Sequence, residues 1–308
     1  MKIAIVFPGQ GSQFVGMGKD LYDNFEEARA VYKEASDALG YDVAGLSFNG
    51  PEEELNKTFR TQPALLTASY AAFVILKNKG VNPVFMAGHS LGEYTTLPAS
   101  GIISFKETVK LTEKRGQFMQ EAVPEGKGLM AAILGLERAQ VDEICASVKS
   151  GYVSPANYNS PGQIVIAGEK AAVEEAMNIA KEAGAKRALP LAVSVPSHCQ
   201  MMSPASKRLS ELLNTLEFQM PQIPIINNAD AKILNDPAEI KDSLVRQLNS
   251  PLLWEDTVKL MVENGVDTII EVGPKNVLTG LIKRIDKDVK TLNAGDAKGI
   301  EEAIGILS

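Results

Sequence analysis

One serine of this chain lies in a pattern that favours nucleophilic chemistry. Residues 88–92 read Gly-His-Ser-Leu-Gly and follow directly on the apolar run at 84–87. A strand that turns sharply into a helix at such a pattern exposes the Ser90 hydroxyl, and the flanking glycines let strand and helix approach without a Cβ clash. The start of that helix directs free N–H groups toward any oxyanion formed beside the serine. The pattern predicts a nucleophilic serine, against the alternative of a chance match in an ordinary turn.

A serine hydroxyl is a weak nucleophile and usually needs a base, and the chain has only two histidines. His89 adjoins Ser90, so the sharp turn should point its side chain away. His198 follows Val-Ser-Val-Pro-Ser, which reads as a strand ending at a proline, so we expect it on a strand-end loop. If a histidine activates Ser90, it is therefore His198, although a lone histidine could also be structural. Cys199 has no comparable turn around it and is the weaker nucleophile.

A second charged candidate lies on a predicted helix after this motif. Ser104 and Glu107 form a capping box that opens the helix, and Leu111, Arg115 and Met119 follow at intervals of four residues. This spacing places Arg115 beside the inward stripe, where a charge needs an anionic partner. The spacing alone leaves an internal salt bridge or a snorkelling arginine as open as a bound anion.

Composition excludes several classes of protein. The chain has 308 residues, is 45% hydrophobic and 22% charged, and carries a net charge of −7, which argues against binding to nucleic acid or an anionic membrane. Its two cysteines, Cys145 and Cys199, make neither a disulfide framework nor a zinc site. No apolar run reaches transmembrane length, and the first apolar run is too short for a signal peptide. We expect a cytoplasmic protein with reduced thiols and no metal.

Strands and helices alternate along the chain, which predicts an α/β fold with a mostly parallel sheet. Residues 126–196 interrupt this pattern with the order β-α-β-β-α-β, which is the split ferredoxin-like unit. We therefore predict a large hydrolase-like α/β domain formed by residues 1–125 and 197–308, with a small ferredoxin-like domain inserted at 126–196. The insertion separates Ser90 from His198 in sequence, and the cleft between the domains is the expected substrate site.

Several local predictions can be checked directly. Residues 20–39 read as one amphipathic helix, and Pro63 as the first position of another helix. Residues 186–195 read as a strand, and residues 300–307 as a final helix. The glycines of the loop at 8–13 suggest a nucleotide-binding fingerprint, but the third glycine it requires is replaced by phenylalanine.

Six ordered motifs carry a family resemblance. They are Phe-Pro-Gly-Gln-Gly-Ser-Gln at 7–13, Thr-Gln-Pro-Ala at 61–64, Gly-His-Ser-Leu-Gly-Glu-Tyr at 88–94, Asn-Ser-Pro-Gly-Gln at 159–163, Ser-Val-Pro-Ser-His at 194–198, and Glu-Val-Gly-Pro at 271–274 with Leu-Thr-Gly-Leu at 278–281. Over essentially its whole length the chain resembles the malonyl-CoA:acyl-carrier-protein transacylases of bacterial type II fatty-acid synthesis. Six motifs in order are far more specific than the serine motif alone.

The resemblance implies a role for each matching residue of the reaction centre. Ser90 would be the acylated nucleophile and His198 its base. The backbone N–H groups of Gln10 and Leu91 would form the oxyanion hole. In this family a backbone carbonyl orients the histidine, and Gln247 matches the residue that supplies it.

The resemblance also implies the substrates. Malonyl-CoA would donate the acyl group to the phosphopantetheine thiol of an acyl carrier protein, with no cofactor of the enzyme's own, and we expect a monomer. Arg115 would hold the free malonyl carboxylate, while Asn159 and Gln163 match positions near the acyl and pantetheine site. Two departures concern local geometry: Pro98 lies within the helix after the serine motif, and Lys275 stands where glycine is expected.

Three other readings remain open at this stage. A serine hydrolase or esterase fits the order of serine and histidine, although Arg115, the inserted unit and the long segment after His198 argue against it. A non-catalytic binding protein could retain the fold, but it would have no need for an exposed serine. A related acyltransferase could load a branched extender such as methylmalonyl, with Pro196 and Ser197 at the position where such selectivity is set.

Overall fold

The computed structural model describes residues 1–191 and 195–305, in which two β-sheets are flanked by helices. The strands are β1 (Ile3–Phe7), β2 (Phe85–Gly88), β3 (Gly128–Leu134), β4 (Val153–Ser160), β5 (Gln163–Glu169), β6 (Arg187–Pro190), β7 (Ile225–Ile226), β8 (Ile233–Leu234), β9 (Thr268–Glu271) and β10 (Lys290–Asn293). The main sheet has the order β10-β9-β1-β2-β7-β8, and only its β7–β8 pair is antiparallel. The predicted α/β class with a mostly parallel sheet is confirmed.

Helices cover both faces of the main sheet. The helices are α1 (Lys19–Asn24), α2 (Glu26–Leu39), α3 (Val43–Asn49), α4 (Glu52–Leu55), α5 (Thr58–Asn78), α6 (Leu91–Ala99), α7 (Phe105–Ala122), α8 (Arg138–Ser147), α9 (Lys170–Glu182), α10 (Ser203–Leu213), α11 (Pro237–Gln247), α12 (Trp254–Glu263), α13 (Val277–Ile285) and α14 (Ala297–Gly305). On β1, Ile5 and Phe7 face the core shared with α5, α6 and α7, whereas Ala4 and Val6 face α12 and α13. Because both faces are buried, β1 is apolar at every position.

The second sheet has the order β4-β5-β3-β6 and is antiparallel throughout, as in a ferredoxin-like unit. Its strands lie within the range predicted for the inserted unit. Alternate residues of β3 and β5 divide between the two faces of the sheet: Ile133 and Ile164 pack on α8 and α9, whereas Met130 and Val165 lie on the opposite face. That opposite face lines a cavity between the two sheets.

The two units are joined at several points. The chain enters and leaves the small unit side by side, since a Cβ built on Gly128 would lie 2.4 Å from Pro196 Cγ. The Tyr158 N–H of β4 donates to the Leu252 carbonyl at 2.9 Å, and an ion pair of 2.9 Å joins Arg138 of α8 to Asp256 of α12. These contacts fix β4, and therefore one wall of the cavity, against the large unit.

Two helix predictions are wrong in detail. The helix expected at 20–39 is divided into α1 and α2, because Phe25 adopts an extended conformation (φ −129°) and packs against the core. The helix expected to begin at Pro63 begins instead at Thr58, and Pro63 lies within α5. Contacts to α7 hold the turn before the proline: Arg60 donates to Glu113 at 3.0 Å, so tertiary packing overrides the usual preference of proline for the first turn.

Two predicted elements extend beyond the described residues. The strand expected at 186–195 is described as β6 over Arg187–Pro190, and its predicted continuation at 192–194 lies outside the described residues. The final helix is described as α14, and its predicted residues 306–307 also lie outside. Pro98 lies one residue before the end of α6 and therefore shortens the helix rather than interrupting it.

The close approach of β1, β2 and α6 requires glycine at two positions. A Cβ on Gly88 would lie 1.9 Å from the Gly92 carbonyl carbon, and a Cβ on Gly92 would lie 2.0 Å from the Phe7 carbonyl oxygen. Both distances are far inside van der Waals contact with backbone atoms, which cannot rotate away as a side chain can. The spacing of the serine motif is therefore a packing requirement of this junction.

We predict that Gly92→Ala destabilises the protein by about 3 kcal/mol, because overpacking against fixed backbone forces the strands and helix apart. Urea unfolding of the variant and of wild type measures the change. Gly280→Ala is the matched control, since it lies inside α13 with nothing within 4 Å of its added Cβ and should stabilise by about 0.5–1 kcal/mol. Equal unfolding midpoints for the two variants would contradict this account of the junction.

Candidate active site

Ser90 occupies a strained turn between β2 and α6. Its backbone has φ 53° and ψ −106°, a conformation that residues other than glycine rarely adopt. The Asn228 side chain bridges the turn, accepting from the Ser90 N–H at 2.8 Å and donating to the Gly88 carbonyl at 2.8 Å. The Gln247 side chain donates to the Ser90 carbonyl at 3.0 Å. These hydrogen bonds hold the turn that the sequence motif predicts.

The structure brings Ser90 and His198 together. His198 Nε2 lies 2.8 Å from Ser90 Oγ, and His198 Nδ1 lies 2.7 Å from the Gln247 carbonyl oxygen. A carbonyl oxygen can only accept, so Nδ1 carries the proton and Nε2 is left to accept from the serine hydroxyl. No carboxylate is needed for this orientation, because the backbone carbonyl selects the tautomer.

Burial keeps this histidine neutral. Burial, aided by the positive charge of Arg115, lowers the pKa of His198 to about 3, although its hydrogen bond to the Gln247 carbonyl acts in the opposite direction. His89 points away from the serine, as predicted: its Nε2 lies 2.8 Å from Asn159 Oδ1 and its ring packs edge-on against Trp254. Burial also lowers the pKa of His89. The free site therefore presents a neutral base to Ser90 at physiological pH.

Two backbone N–H groups are candidates for an oxyanion hole beside Ser90. Leu91 is the first residue of α6, where an N–H has no acceptor within its own helix. Gln10 lies in the loop after β1, and the parallel pairing of Phe7 with Gly88 brings this loop to the same end of the sheet as Ser90. Neither N–H donates to another group within residues 1–191 and 195–305. Both groups are therefore available for the oxyanion role that the resemblance implies.

Arg115 is buried beside the nucleophile, with only 1% of its surface exposed. Its guanidinium donates to Gln62 Oε1 at 2.9 Å, to Gln247 Oε1 at 2.9 Å and to Ser90 Oγ at 3.3 Å. The expected anionic partner is not in direct contact, because these amide oxygens take its place. Its Nε has no hydrogen-bond partner within the described residues. A planar cation with an unused donor beside the serine is suited to binding a carboxylate.

A cavity of about 240 Å³ opens above Ser90 between the two sheets. Its polar lining includes Gln10, Ser90, Asn159, Gln163 and His198, and its apolar lining includes Met119, Met130, Val165, Leu278 and Leu281. An elongated acyl chain or pantetheine arm would find apolar walls and polar groups at the reactive end.

The two residues assigned by resemblance to the acyl site face different partners. Asn159 accepts from His89 within the cavity, whereas Gln163 accepts from Arg284 of α13 across the gap between the units. Lys275 has the left-handed backbone (φ 61°) for which glycine is expected, and its Nζ donates to the Gly11 carbonyl at 2.9 Å. The unexpected lysine therefore ties the turn before α13 to the loop that carries Gln10.

Three residues of the site were missed by sequence reasoning. Asn228 was not singled out, and Gln62 and Glu93 were quoted within motifs without a role. Glu93 is fully buried, and its Oε2 accepts from the Gln247 amide at 2.8 Å and from the Asn228 N–H at 3.0 Å. An available signal was the Asn-Asn pair at 227–228, which follows β7, the neighbour of β2, and so lies at the same edge of the sheet.

The described part of the chain has no group of histidine, cysteine and acidic side chains arranged to hold a metal ion. Within the same residues, no helix combines the length and apolar character needed to cross a membrane.

Comparison with known proteins identifies the family. A model of the acyl transferase domain matches residues 4–300, nearly the whole chain. Together with the α/β fold and the serine–histidine pair, this match defines the class: the chain belongs to the acyl transferase family.

Individual relatives indicate a narrower group within the acyl transferase family. The chain is 51% identical over 298 residues to the malonyl CoA-acyl carrier protein transacylase of Haemophilus influenzae, covering 96% of each chain. It is 52% identical over 295 residues to the Escherichia coli K12 protein of the same name, covering 95% of this chain and 94% of that protein.

Solved structures agree with this result. A malonyl-transacylase in complex with its type II PKS acyl-carrier protein superposes with a TM-score of 0.98 at 51% identity, covering 99% of this chain and all of that chain. An acyl carrier protein S-malonyltransferase from Vibrio cholerae gives a TM-score of 0.96 at 52% identity, covering 98% of this chain and 99% of that one. The agreement extends over the whole chain, including the inserted unit.

We predict that His198 remains neutral, with its proton on Nδ1, down to about pH 5, because burial and Arg115 oppose its charged form. Nitrogen-15 NMR of histidine-labelled protein reports both the tautomer and the titration. Unfolded His198 takes up a proton near its usual pKa and the folded one does not. The free energy of unfolding should therefore fall as the pH is lowered from the usual histidine pKa to about pH 5. His198 contributes up to about 1.4 kcal/mol per pH unit to this fall.

Variants separate the two causes of this shift. Arg115→Met should raise the pKa of His198, because a neighbouring positive charge is removed while the burial remains. Arg138→Met is the control, since Arg138 of α8 pairs with Asp256 of α12 and does not contact His198. A wild-type His198 that titrates at the ordinary histidine pKa would contradict the analysis.

Proposed function

We infer that this chain transfers the malonyl group from malonyl-CoA to the phosphopantetheine thiol of an acyl carrier protein through a malonyl-serine intermediate. The observation that carries the inference is the placement of the buried Arg115 guanidinium 3.3 Å from Ser90 Oγ, which in turn lies 2.8 Å from His198. A cation beside the nucleophile selects an acyl group with a free carboxylate. The names of the relatives, which are malonyl transacylases, support the same substrate.

The first half of the reaction loads the enzyme. His198 Nε2 takes the Ser90 hydroxyl proton as the oxygen attacks the thioester carbonyl carbon. The negative charge that develops on the carbonyl oxygen is stabilised by the N–H groups of Leu91 and Gln10, and such donors are typically worth about 3–4 kcal/mol each. The protonated histidine then gives its proton to the departing coenzyme A thiolate, which leaves malonyl on the serine oxygen.

The second half discharges the enzyme by the same steps in reverse. The phosphopantetheine thiol of the carrier protein enters the cavity, His198 accepts its proton, and the thiolate attacks the malonyl ester. Because one site serves two thiols in turn, ping-pong kinetics follow. Coenzyme A and phosphopantetheine are thus part of the substrates, and these steps need no cofactor held by the enzyme.

Arg115 sets the acyl specificity in this scheme. Its donors pair with a carboxylate bidentately, and an acetyl group would leave those buried donors without that partner. Asn159 and Gln163 line the same cavity and would bound the acyl and pantetheine groups. The methylmalonyl alternative requires space for a methyl branch beside the same arginine, whereas the relatives at about half identity are named for malonyl.

The setting of the enzyme follows from the same proposal. We expect a monomer, because Ser90, His198, Arg115 and Gln247 come from one chain and form a connected site. A cytoplasmic location fits the reduced cysteines, both of which are buried and free. In this setting the chain would supply malonyl groups for fatty-acid elongation.

Intact-protein mass spectrometry after brief mixing with malonyl-CoA tests the proposed function. We expect a malonyl adduct on wild type, its discharge by holo acyl carrier protein, and no adduct on Ser90→Ala. Release of malonate at the same rate with and without a thiol acceptor would instead indicate the serine hydrolase. Neither adduct nor turnover would indicate a protein that only binds.

We predict that Arg115→Ala loses malonyl transfer selectively. Loss of a charge-assisted carboxylate pair costs about 3 kcal/mol, so acylation by malonyl-CoA should fall about 100-fold relative to acylation by acetyl-CoA. Rapid-quench measurement of both acylation rates gives the ratio. Arg208→Ala is the control, because Arg208 lies on α10 at the surface and pairs with Glu121. An equal loss for both acyl groups would remove Arg115 from the selectivity role.

A further inference from the structure

A buried cation, an amide and a buried carboxylate form a line beneath the nucleophile. Arg115 donates to Gln247 Oε1 at 2.9 Å, and Gln247 Nε2 donates to Glu93 Oε2 at 2.8 Å. The amide of Gln247 is therefore oriented at both ends, with its oxygen toward the cation and its nitrogen toward the anion. Reversing the amide would place two donors against each other and two acceptors against each other, so the charges at both ends fix it.

Glu93 is the carboxylate of this network, and its side chain is fully buried, with an exposed fraction of zero. Its Oε2 accepts from Gln247 and from the Asn228 N–H, whereas its Oε1 has no hydrogen-bond partner within the described residues. A buried charge is costly unless a charge of opposite sign lies near it. An ionised Glu93 therefore depends on Arg115, and Arg115 on Glu93.

The other charged groups around Glu93 do not take over this role. Asp230, in the loop after β7, adds a negative charge but is paired with Arg246 of α11 at 2.8 Å. His198 is neutral, and Tyr94, the neighbour of Glu93 on α6, has a pKa raised by burial to about 12. When Glu93 is ionised, the site before substrate binds therefore contains one positive and one negative charge, and these balance.

A malonyl group adds a second carboxylate to this balance. Under the proposed function its carboxylate pairs with Arg115, so two anions would share one buried guanidinium. We propose that Glu93 is the counterion of Arg115 in the empty site and takes up one proton from solvent when the acyl carboxylate binds. The new O–H bond on Glu93 keeps the buried charge at zero, and the proton returns to solvent when the acyl group leaves with its carboxylate.

The protonation behaviour of Glu93 supports the proposal. Burial raises the pKa of Glu93 to about 7, although its hydrogen bonds to Gln247 and Asn228 and the charge of Arg115 all act to lower it. Once a malonyl carboxylate neutralises Arg115, the last of these effects is lost and the pKa rises further. Proton uptake is therefore expected at and above neutral pH, whereas at lower pH Glu93 is already neutral. Glu93 acts on specificity through Gln247 and Arg115 and is a positioning residue.

The test measures acylation by malonyl-CoA and by acetyl-CoA at low substrate over a pH series. The quantity compared is the malonyl rate constant divided by the acetyl rate constant. At low substrate the ratio cancels the ionisation of His198 in the free enzyme and of the coenzyme A phosphates, which both donors share. In wild type we expect a constant ratio below about pH 7 and a fall of up to about tenfold per pH unit above it. A ratio that stays flat up to about pH 9 would overturn the proposal.

Two variants make the assignment specific. Glu93→Gln retains an oxygen for Gln247 and Asn228 but cannot titrate, so its ratio should stay high and flat at alkaline pH. Glu271→Gln is the matched control: Glu271 is also fully buried, but it accepts from the backbone N–H groups of Leu278 and Thr279 and does not contact Arg115. The control should keep the wild-type fall.

The outcomes distinguish a failure of the Glu93 proposal from a failure of the proposed function, on which it rests. If malonyl-CoA gives no adduct with wild type, the proposed function fails. If the adduct forms and the ratio is flat in wild type, or falls equally in wild type and Glu93→Gln, only the role of Glu93 fails. A flat wild-type ratio overturns the proposal even if Glu93→Gln does not fold, because the acetyl donor provides the internal reference.

Discussion

The close packing of β2 and α6 against β1 determines the geometry of this site. Gly88 and Gly92 leave no space for a Cβ, and Ser90, midway between them, makes the turn with a positive φ. Ser90 therefore projects into the cavity, and the first turn of α6 presents the Leu91 N–H beside it. The same packing places the loop after β1, and with it Gln10, next to the serine. One steric constraint thus positions the nucleophile and both candidate oxyanion donors.

The charge of Arg115 links the binding of the acyl group to the basicity of His198. In the empty site the charge of Arg115 acts together with burial to hold the pKa of His198 low. Under the proposed function, a carboxylate paired with Arg115 at close range would oppose that charge, so His198 would be a stronger base while a malonyl group is in place. An acetyl group leaves the charge and the weak base as they are. Specificity would therefore reside partly in the activation of Ser90 and not only in binding.

Local signals made the main features predictable, and long-range packing determined the rest. The glycine spacing around Ser90 and the capping box at Ser104 depend on neighbouring residues, and the choice of His198 depends on the presence of only two histidines in the chain; the structure shows the expected geometry at each. The role of the Gln247 carbonyl came from the family resemblance alone. The role of Glu93 was not predicted, because its hydrogen-bond partners are 135 and 154 residues away in sequence and no periodicity or motif indicates contacts over such a separation.

The connections of the small unit have an evolutionary consequence. Because Gly128 and Pro196 are neighbours, the chain leaves the large unit and returns to it at one place. Recombination at these two points could exchange the intervening segment without rerouting the rest of the backbone. The exchanged segment carries the apolar wall at Met130 and Val165, whereas Ser90 belongs to the part that remains. The fold thus allows a lineage to change the acyl pocket while it inherits the reaction centre intact.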